Sequence, residues 1–346
     1  VSNDVWVTSR SDRKSAHPSI NYLKGSAKQR EFLCETLSLR HWDAVVDFMV
    51  RSEAQLRDIL PDMLQATDQY VFISSARVYA ECDGLITEDS PRLLEASSDK
   101  EFLKTNEYAL AKAREEDVLR QSGRNNWTII RPSITYNDNR LQLGVLEKED
   151  FIYRALHGRS IVFSHDMEDK ITTMTHGDDV ARGIASIIGQ KKALGETFHI
   201  TSSHSLTWGE VLGVYVRELE EHLGHPIDVK WTDVTPNIKL THQLYRIKYC
   251  RYFNRTFDNS KIAQFVDVNT FVTPEEGLSR CLRNFLSAPH FGYKNWALEG
   301  INNRITGEHV AHSEIKRKAD KLWYVAYRHD LGLMIKLMKK IVRIKL

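Results

Sequence analysis

The chain has 346 residues, 42% apolar and 27% charged, which allows a sizeable core and excludes wholesale disorder. Its formal net charge of +2 supplies no global field for nucleic-acid binding, and no apolar run approaches the roughly 18 residues that span a bilayer. Four cysteines (Cys34, Cys82, Cys250 and Cys281) lie far apart with no C-x-x-C, which argues against a disulfide framework or a zinc site and for a reducing, cytoplasmic compartment. No signal peptide is visible.

In chain order, 5–9 (VWVTS) reads as a strand, followed by a loop rich in Ser, Lys and Arg and a second extended segment at 20–23. Residues 31–39 have helical character. The apolar run 44–50 (AVVDFMV) is what a parallel strand covered on both faces looks like. A helix is expected over 53–66, a buried strand over 70–74 (YVFIS), a helix over 106–121 ended by Gly123, and a strand over 127–131 (WTIIR) ended by Pro132. Strands alternating with helices at this spacing predict βαβ units and a doubly wound α/β fold with a parallel sheet. Ligands bind such sheets at the carboxyl ends of the strands, here just after Ser9, Val50, Ser74 and Arg131. Beyond Arg131 the pattern is less regular. Helices at 150–157, 178–188 and 207–222, with strands at 161–163 and 197–201, suit a smaller α+β substrate lobe that exchanges segments with the sheet. The expected organisation is a dinucleotide-binding domain over 1–135, a mixed region over 136–285 and a basic helical tail over 286–346.

Tyr108-Ala-Leu-Ala-Lys112 carries the chemistry. Positions i and i+4 share a helix face, so Lys112 would stand one turn from the Tyr108 ring. A nearby ammonium favours the phenolate and draws the tyrosine toward the working pH range. A tyrosine so tuned can exchange a proton with a substrate hydroxyl while hydride moves at the carbon. Alone the pattern is weak, since an exposed Tyr–Lys pair is common on helices. Val71-Phe-Ile-Ser-Ser75-Ala-Arg-Val-Tyr79 strengthens it by placing two serines where a buried strand ends. Ser75 is positioned to hydrogen-bond the reacting oxygen, while capping or turn formation is enough to account for Ser74.

The ordered series Ser74-Ser75, Tyr108-x-x-x-Lys112 and Ile129-Ile-Arg-Pro-x-x-x-Tyr136 resembles the extended short-chain dehydrogenase/reductases, the NAD(P)-dependent epimerase/dehydratase family that acts largely on nucleotide sugars. The likeness continues through His176-Gly-Asp-Asp-Val-Ala181, Gly195-Glu-Thr-Phe-His-Ile200, Phe257-Asp-Asn-Ser-Lys261 and Pro274-Glu-Glu-Gly-Leu278. It covers roughly residues 1–285. The resemblance implies a Rossmann-like fold in which Ser75 and Tyr108 face the substrate, Lys112 serves cofactor and catalysis together, and Pro132 packs beside the nicotinamide. Arg251 and Arg255 stand where the family pattern neutralises a substrate diphosphate. Arginine does this bidentately. Arg131-Pro132 otherwise reads as a plain strand end, and Asp178-Asp179 as a helix start favoured by the helix dipole.

The sequence also departs from the family. No glycine-rich phosphate loop occurs, and 5–9 reads as the family's second strand, so a first βα unit is missing from the series. Truncation and a true loss of dinucleotide binding compete as explanations. The retained Ser75, Tyr108 and Lys112 favour truncation, in which case the chain alone would bind cofactor poorly. Arg10 after the first strand, with Arg13 and Lys14 close behind, leans toward the 2′-phosphate of NADP over NAD. Ser26 replaces the aspartate that usually contacts adenine. Ala76-Arg77 stands where dehydratases carry Asp-Glu, which disfavours dehydration and leaves epimerisation, oxidation or keto reduction. The tail 330–346 (DLGLMIKLMKKIVRIKL) suits a basic amphipathic helix on an acidic membrane face, a helix docked on its own domain, or a homodimer contact. The competing reading for the whole chain is a non-catalytic or inactive protein that keeps the fold to bind RNA or a protein. Near-neutral charge and the absence of an aromatic-basic stripe count against nucleic acid.

Overall fold

A computed structural model describes residues 3–240, 243–311 and 313–344, except the side chains of Lys239 and of residues from 342 onward. The first half runs β1 (Val5–Ser9), β2 (Ile20–Lys24), α1 (Arg30–Ser38), β3 (Val45–Asp47), α2 (Glu53–Ala66), β4 (Tyr70–Ile73), α3 (Tyr108–Arg120) and β5 (Trp127–Pro132). It continues through β6 (Ile134–Tyr136), α4 (Lys148–Leu156), β7 (Ile161–Ser164), β8 (Met174–His176), α5 (Gly177–Ile187), β9 (Glu196–Ile200), α6 (Trp208–Leu223), β10 (Val229–Thr232) and α7 (Pro274–Ser287). Shorter turns of helix and two-residue strands lie between them.

Four strands form one parallel sheet in the order β9–β5–β4–β3. Successive side chains on a strand point to opposite faces. Accordingly Tyr70, Phe72 and Ile129 pack with Leu56, Leu60 and Met63 of α2, whereas Val71, Ile130 and Phe198 pack with Val180 and Ile184 of α5. The sheet is thus covered on both faces, as the uninterrupted apolar runs require. Helix α2 starts cleanly because Ser52 Oγ accepts the Gln55 N–H while the Gln55 carboxamide accepts the Ser52 N–H.

The segment 44–50 departs from expectation. Only Val45–Asp47 is strand, and Phe48 and Val50 are exposed rather than covered. The chain turns because the buried Asp47 carboxylate accepts the Met49 N–H at 3.0 Å, Arg51 Nε at 3.0 Å and the Tyr70 hydroxyl at 3.0 Å. The β1–β2 pair forms a separate parallel ribbon, with Val5 opposite Ile20. Arg40 ties this ribbon to the sheet. It pairs with Asp4 at 3.2 Å, and its guanidinium lies 4.7 Å from the Trp6 ring and 5.5 Å from the Trp42 ring. Among the described residues β1 pairs only with β2, and β3 only with β4.

The largest core belongs to the second half, where Tyr136, Phe151, Phe163, Trp208, Tyr215, Leu282 and Phe285 pack together. Two further parallel strand pairs, β6–β8 and β7–β10, lie here, so this part is mixed α and β. Its last layer is α8 (Trp296–Thr306), α9 (Lys318–Arg328) and α10 (Gly332–Ile344). Helices α8 and α9 approach at Gly300, where an added Cβ would sit 2.5 Å from the Tyr324 carbonyl oxygen and 3.0 Å from the Arg328 nitrogen. Both are backbone atoms and cannot swing aside. Gly300→Ala is therefore expected to force the helices apart and destabilise the fold by about 2 kcal/mol, in the usual range for overpacking. A urea midpoint equal to the parent's would show that the helices yield freely.

Candidate active site

The site is built where β4 and β5 end and α3 begins. Ser74 extends β4 by donating its N–H to the Ile130 carbonyl at 2.7 Å, and the chain then winds into a short 3-10 turn, Ala76–Val78. Ser75 Oγ accepts the Arg77 N–H at 3.2 Å and caps this turn, yet the side chain still lines a cleft of about 490 Å³. Ser74 borders the same cleft, but its hydroxyl is engaged, donating to buried Glu116 at 2.6 Å. The two serines thus differ in that the Ser74 hydroxyl donates to a buried carboxylate while the Ser75 hydroxyl only accepts a backbone N–H.

Tyr108 opens α3, with Glu107 as the cap. It is 40% exposed, because it stands in the wall between two clefts. On one side lie Ser75, Pro132 and the arginines of the larger cleft. On the other, Lys112 and Glu115 line a second cleft of about 350 Å³ together with Val50, Arg51, Ser52 and Gln55. Lys112 is buried on the floor of that cleft, and its ammonium donates to Glu115 at 2.8 Å and lies 4.6 Å from the Phe72 ring. Among the described residues no hydrogen bond joins Lys112 to the Tyr108 hydroxyl. Arg77 lies over that ring, 5.1 Å from its centroid, and pairs with Glu107. Burial raises the Glu115 carboxyl above its ordinary range, against the pull of Lys112.

Glu116, one residue on, fixes the helix in place. Its buried carboxylate accepts Arg131 Nε at 2.8 Å and Nη2 at 2.7 Å, along with Ser74, Arg92 and Arg120. Burial alone would raise its pKa, but these donors outweigh that and hold it down to about 2. Arg131 is therefore an internal strut and not a plain strand end. A charged residue inside an otherwise buried strand needs a buried partner, and that requirement was a signal in the sequence for an acidic residue on α3.

The larger cleft is basic. Arg77, Arg140, Arg246, Arg251 and Arg255 line it. Arg246 pairs with Glu147 at 3.2 Å. Buried Arg251 donates to the Gly144 carbonyl at 2.8 Å and lies 5.6 Å from the Trp208 ring, while buried Arg255 donates to the Tyr79 carbonyl at 2.9 Å. Neither has a carboxylate partner among the described residues, and Nε of Arg255 and of Arg77 is buried without any partner. Burial, with Arg246 and Arg77 nearby, lowers the Arg251 pKa to about 9. Cys250 lies between them. Burial would raise its thiol, yet Arg251 and Arg255 hold it below its ordinary value. Isolated buried guanidinium groups are costly, and an anionic ligand in the cleft would offset that cost.

Of the residues singled out in the sequence, Ser75, Tyr108, Pro132, Arg251 and Arg255 meet in one cleft, and Tyr108 and Lys112 meet in the other. Arg10 is exposed in the loop after β1 and lines neither. The second cleft fits the nicotinamide-ribose end of a dinucleotide. Glu115 is the one acceptor for the Lys112 ammonium among the described residues, which leaves donors for ribose hydroxyls. No described residues form a glycine-rich cradle at the pyrophosphate end.

Comparison with known proteins agrees with this architecture. Residues 41–184 match the family described as male sterility protein, an NAD-binding family. Over 189 residues, 55% of the chain, the sequence is 30% identical to the chloroplast stem-loop binding protein of 41 kDa b of Arabidopsis thaliana. The match spans 46% of that relative, about half its length. Among solved structures, dTDP-glucose 4,6-dehydratase of Bacillus anthracis in complex with NAD superposes with a TM-score of 0.58 at 18% identity, covering 79% of this chain and 82% of that one. UDP-glucuronic acid 4-epimerase of Bacillus cereus in complex with NAD gives 0.56 at 16%, covering 78% and 82%. The parallel sheet and these superpositions show that the chain has the Rossmann-type fold of the NAD-dependent dehydratase and epimerase structures, and its central strands lie within the segment that matches the male sterility family.

Proposed function

We propose that this protein is a nucleotide-sugar epimerase or reductase that uses NADP, with NAD as the alternative cofactor. The observation that carries the reading is the position of Tyr108 as a shared wall, with a buried ammonium on one side and unpaired guanidinium groups on the other. Arg251 and Arg255 would hold the substrate diphosphate. Tyr108 would take the proton from a sugar hydroxyl, while Ser75 Oγ donates a hydrogen bond to the same oxygen and keeps it in place. Lys112 and Pro132 would seat the nicotinamide ribose, with Arg10 toward the 2′-phosphate. When bound, the cofactor supplies the hydride acceptor or donor. Ala76-Arg77 offers no acid–base pair for loss of water, so a dehydratase is disfavoured. The stem-loop-binding relative motivates a second reading, a non-catalytic RNA-binding protein on this fold.

Arg251→Met separates these readings. Removing a buried cation that has no carboxylate partner should leave stability unchanged or raise it. If the cleft holds a diphosphate, the Kd for UDP or dTDP should rise about tenfold or more, the loss of one charged hydrogen-bonding partner. Calorimetric titration of both nucleotides and of NADP and NAD makes the measurement. Failure of the parent protein to bind any of them, together with tight binding of a stem-loop RNA, would reject the enzyme and favour the second reading.

A further inference from the structure

The last two helices carry apolar surface that the fold does not use. Helix α10 docks on the main core through Ile335, with Met334 and Met338 half-buried on the same side. The adjoining side presents Leu333, Leu337 and Ile341, which are 76%, 56% and 56% exposed. These positions are four residues apart and form one stripe along the helix. Exposed Lys336 and Lys340 lie beside it, within roughly 60° of Leu333 around the axis. Leu331 just before α10, and Leu322 and Val325 on α9, add to the exposed apolar surface. A broad apolar face of which one side is docked and the other open is not explained by packing on its own domain.

Charge identifies what covers the open face. Residues 316–346 hold ten Lys or Arg against two acidic residues, and no acidic residue follows Asp330. The two acids are already engaged, Asp320 with Arg317 and Asp330 with Arg304. Because the whole chain is only +2, residues 1–315 are net negative. An anionic surface would attract the tail and repel the rest, which fixes a single orientation. A second copy pressed stripe to stripe would instead bring like charges together. Arg343 and Lys345 add to the basic count by sequence but lie outside the described side chains. No helix among the described residues is long and apolar enough to cross a membrane, so the contact would be peripheral.

We propose that the open face of α10 docks this protein on an anionic lipid surface, with Leu333, Leu337 and Ile341 entering the headgroup boundary and Lys336 and Lys340 contacting acidic headgroups. The docked helix presents the stripe ready-formed, so binding does not have to pay for folding the segment. The proposal is independent of the chemistry at Tyr108 and needs no turnover to test.

The test is co-sedimentation of the full chain with vesicles of phosphatidylcholine, alone or with about 30 mol% phosphatidylserine, in low and high salt. The expected result is partition to the acidic vesicles about tenfold above the neutral ones, weakened by salt. Leu333→Ser with Leu337→Ser, and separately Lys336→Glu with Lys340→Glu, should each reduce it about fivefold or more while thermal unfolding stays unchanged. Equal partition to both vesicle types, or binding that survives both double variants, overturns the proposal. So does self-association that the leucine variant abolishes, which would make the stripe a contact between copies. Tight stem-loop RNA binding that needs the lysines and ignores the leucines would likewise replace lipid with nucleic acid as the partner.

Discussion

Tyr108→Phe is expected to lower kcat by about a thousandfold, within the range that removal of a general acid–base produces. The affinity for NADP or NAD should stay within about twofold, since the ring still packs in the wall between the clefts. This residue is a cleaner probe than its neighbours. Among the described residues its hydroxyl makes no hydrogen bond and the side chain is 40% exposed. Deleting one oxygen therefore strands no buried partner and should change stability by less than about 0.5 kcal/mol. Lys112→Met would be ambiguous, because it would leave Glu115 buried without its cation. The measurement is single-turnover kinetics over a panel of UDP- and dTDP-sugars, with the nicotinamide absorbance as readout. Turnover retained by the phenylalanine variant would move proton transfer to another group and remove Tyr108 from the mechanism.

The sheet and the placing of Ser75 and Tyr108 at one strand end were legible because each is written locally. Buried strands such as YVFI and WTII advertise themselves by uninterrupted apolar runs, and Tyr108 and Lys112 sit at helical spacing next to such a strand. What stayed hidden depends on partners far along the chain. The apolar run AVVDFMV reads as one covered strand, yet Asp47 ends it, because Tyr70 and Arg51 converge on its carboxylate. Nothing within the heptapeptide announces that convergence. The partner of Lys112 was equally invisible. Periodicity brings Tyr108 and Glu115 to nearby angles on α3, but only the packing of α3 against β4 decides that Glu115 is buried and takes the ammonium. The cleft arginines were identified by position in a family pattern. Their lack of carboxylate partners, which gives the cleft its character, can be read only from the folded chain.

Glu116→Ala is expected to be the most destabilising single change in this region, by about 3–5 kcal/mol, the usual result of stranding a buried cation. Arg131 would lose both bonds to the carboxylate. It would keep the Glu88 carbonyl at 3.0 Å and the Tyr79 ring at 4.7 Å. The same interaction sets a pH dependence. The folded carboxyl titrates at about 2, below its ordinary value near 4.5, so its contribution is fully present above that ordinary value and fades as pH falls toward 2. Urea unfolding at neutral pH and across this acid range should show a steeper acid loss in the parent than in Glu116→Ala. A neutral-pH loss below about 1 kcal/mol would mean that Arg131 finds another partner. The double variant Glu116→Leu with Arg131→Met removes both charges and should regain most of the stability, since a buried ion pair can be replaced by apolar side chains. Its activity then decides what the pair is for. Glu116 ties Ser74, and through it the turn bearing Ser75, to the helix that begins at Tyr108. If stability returns and turnover does not, the pair holds those two residues in register for the reaction. If both return, its role ends at stabilising the fold.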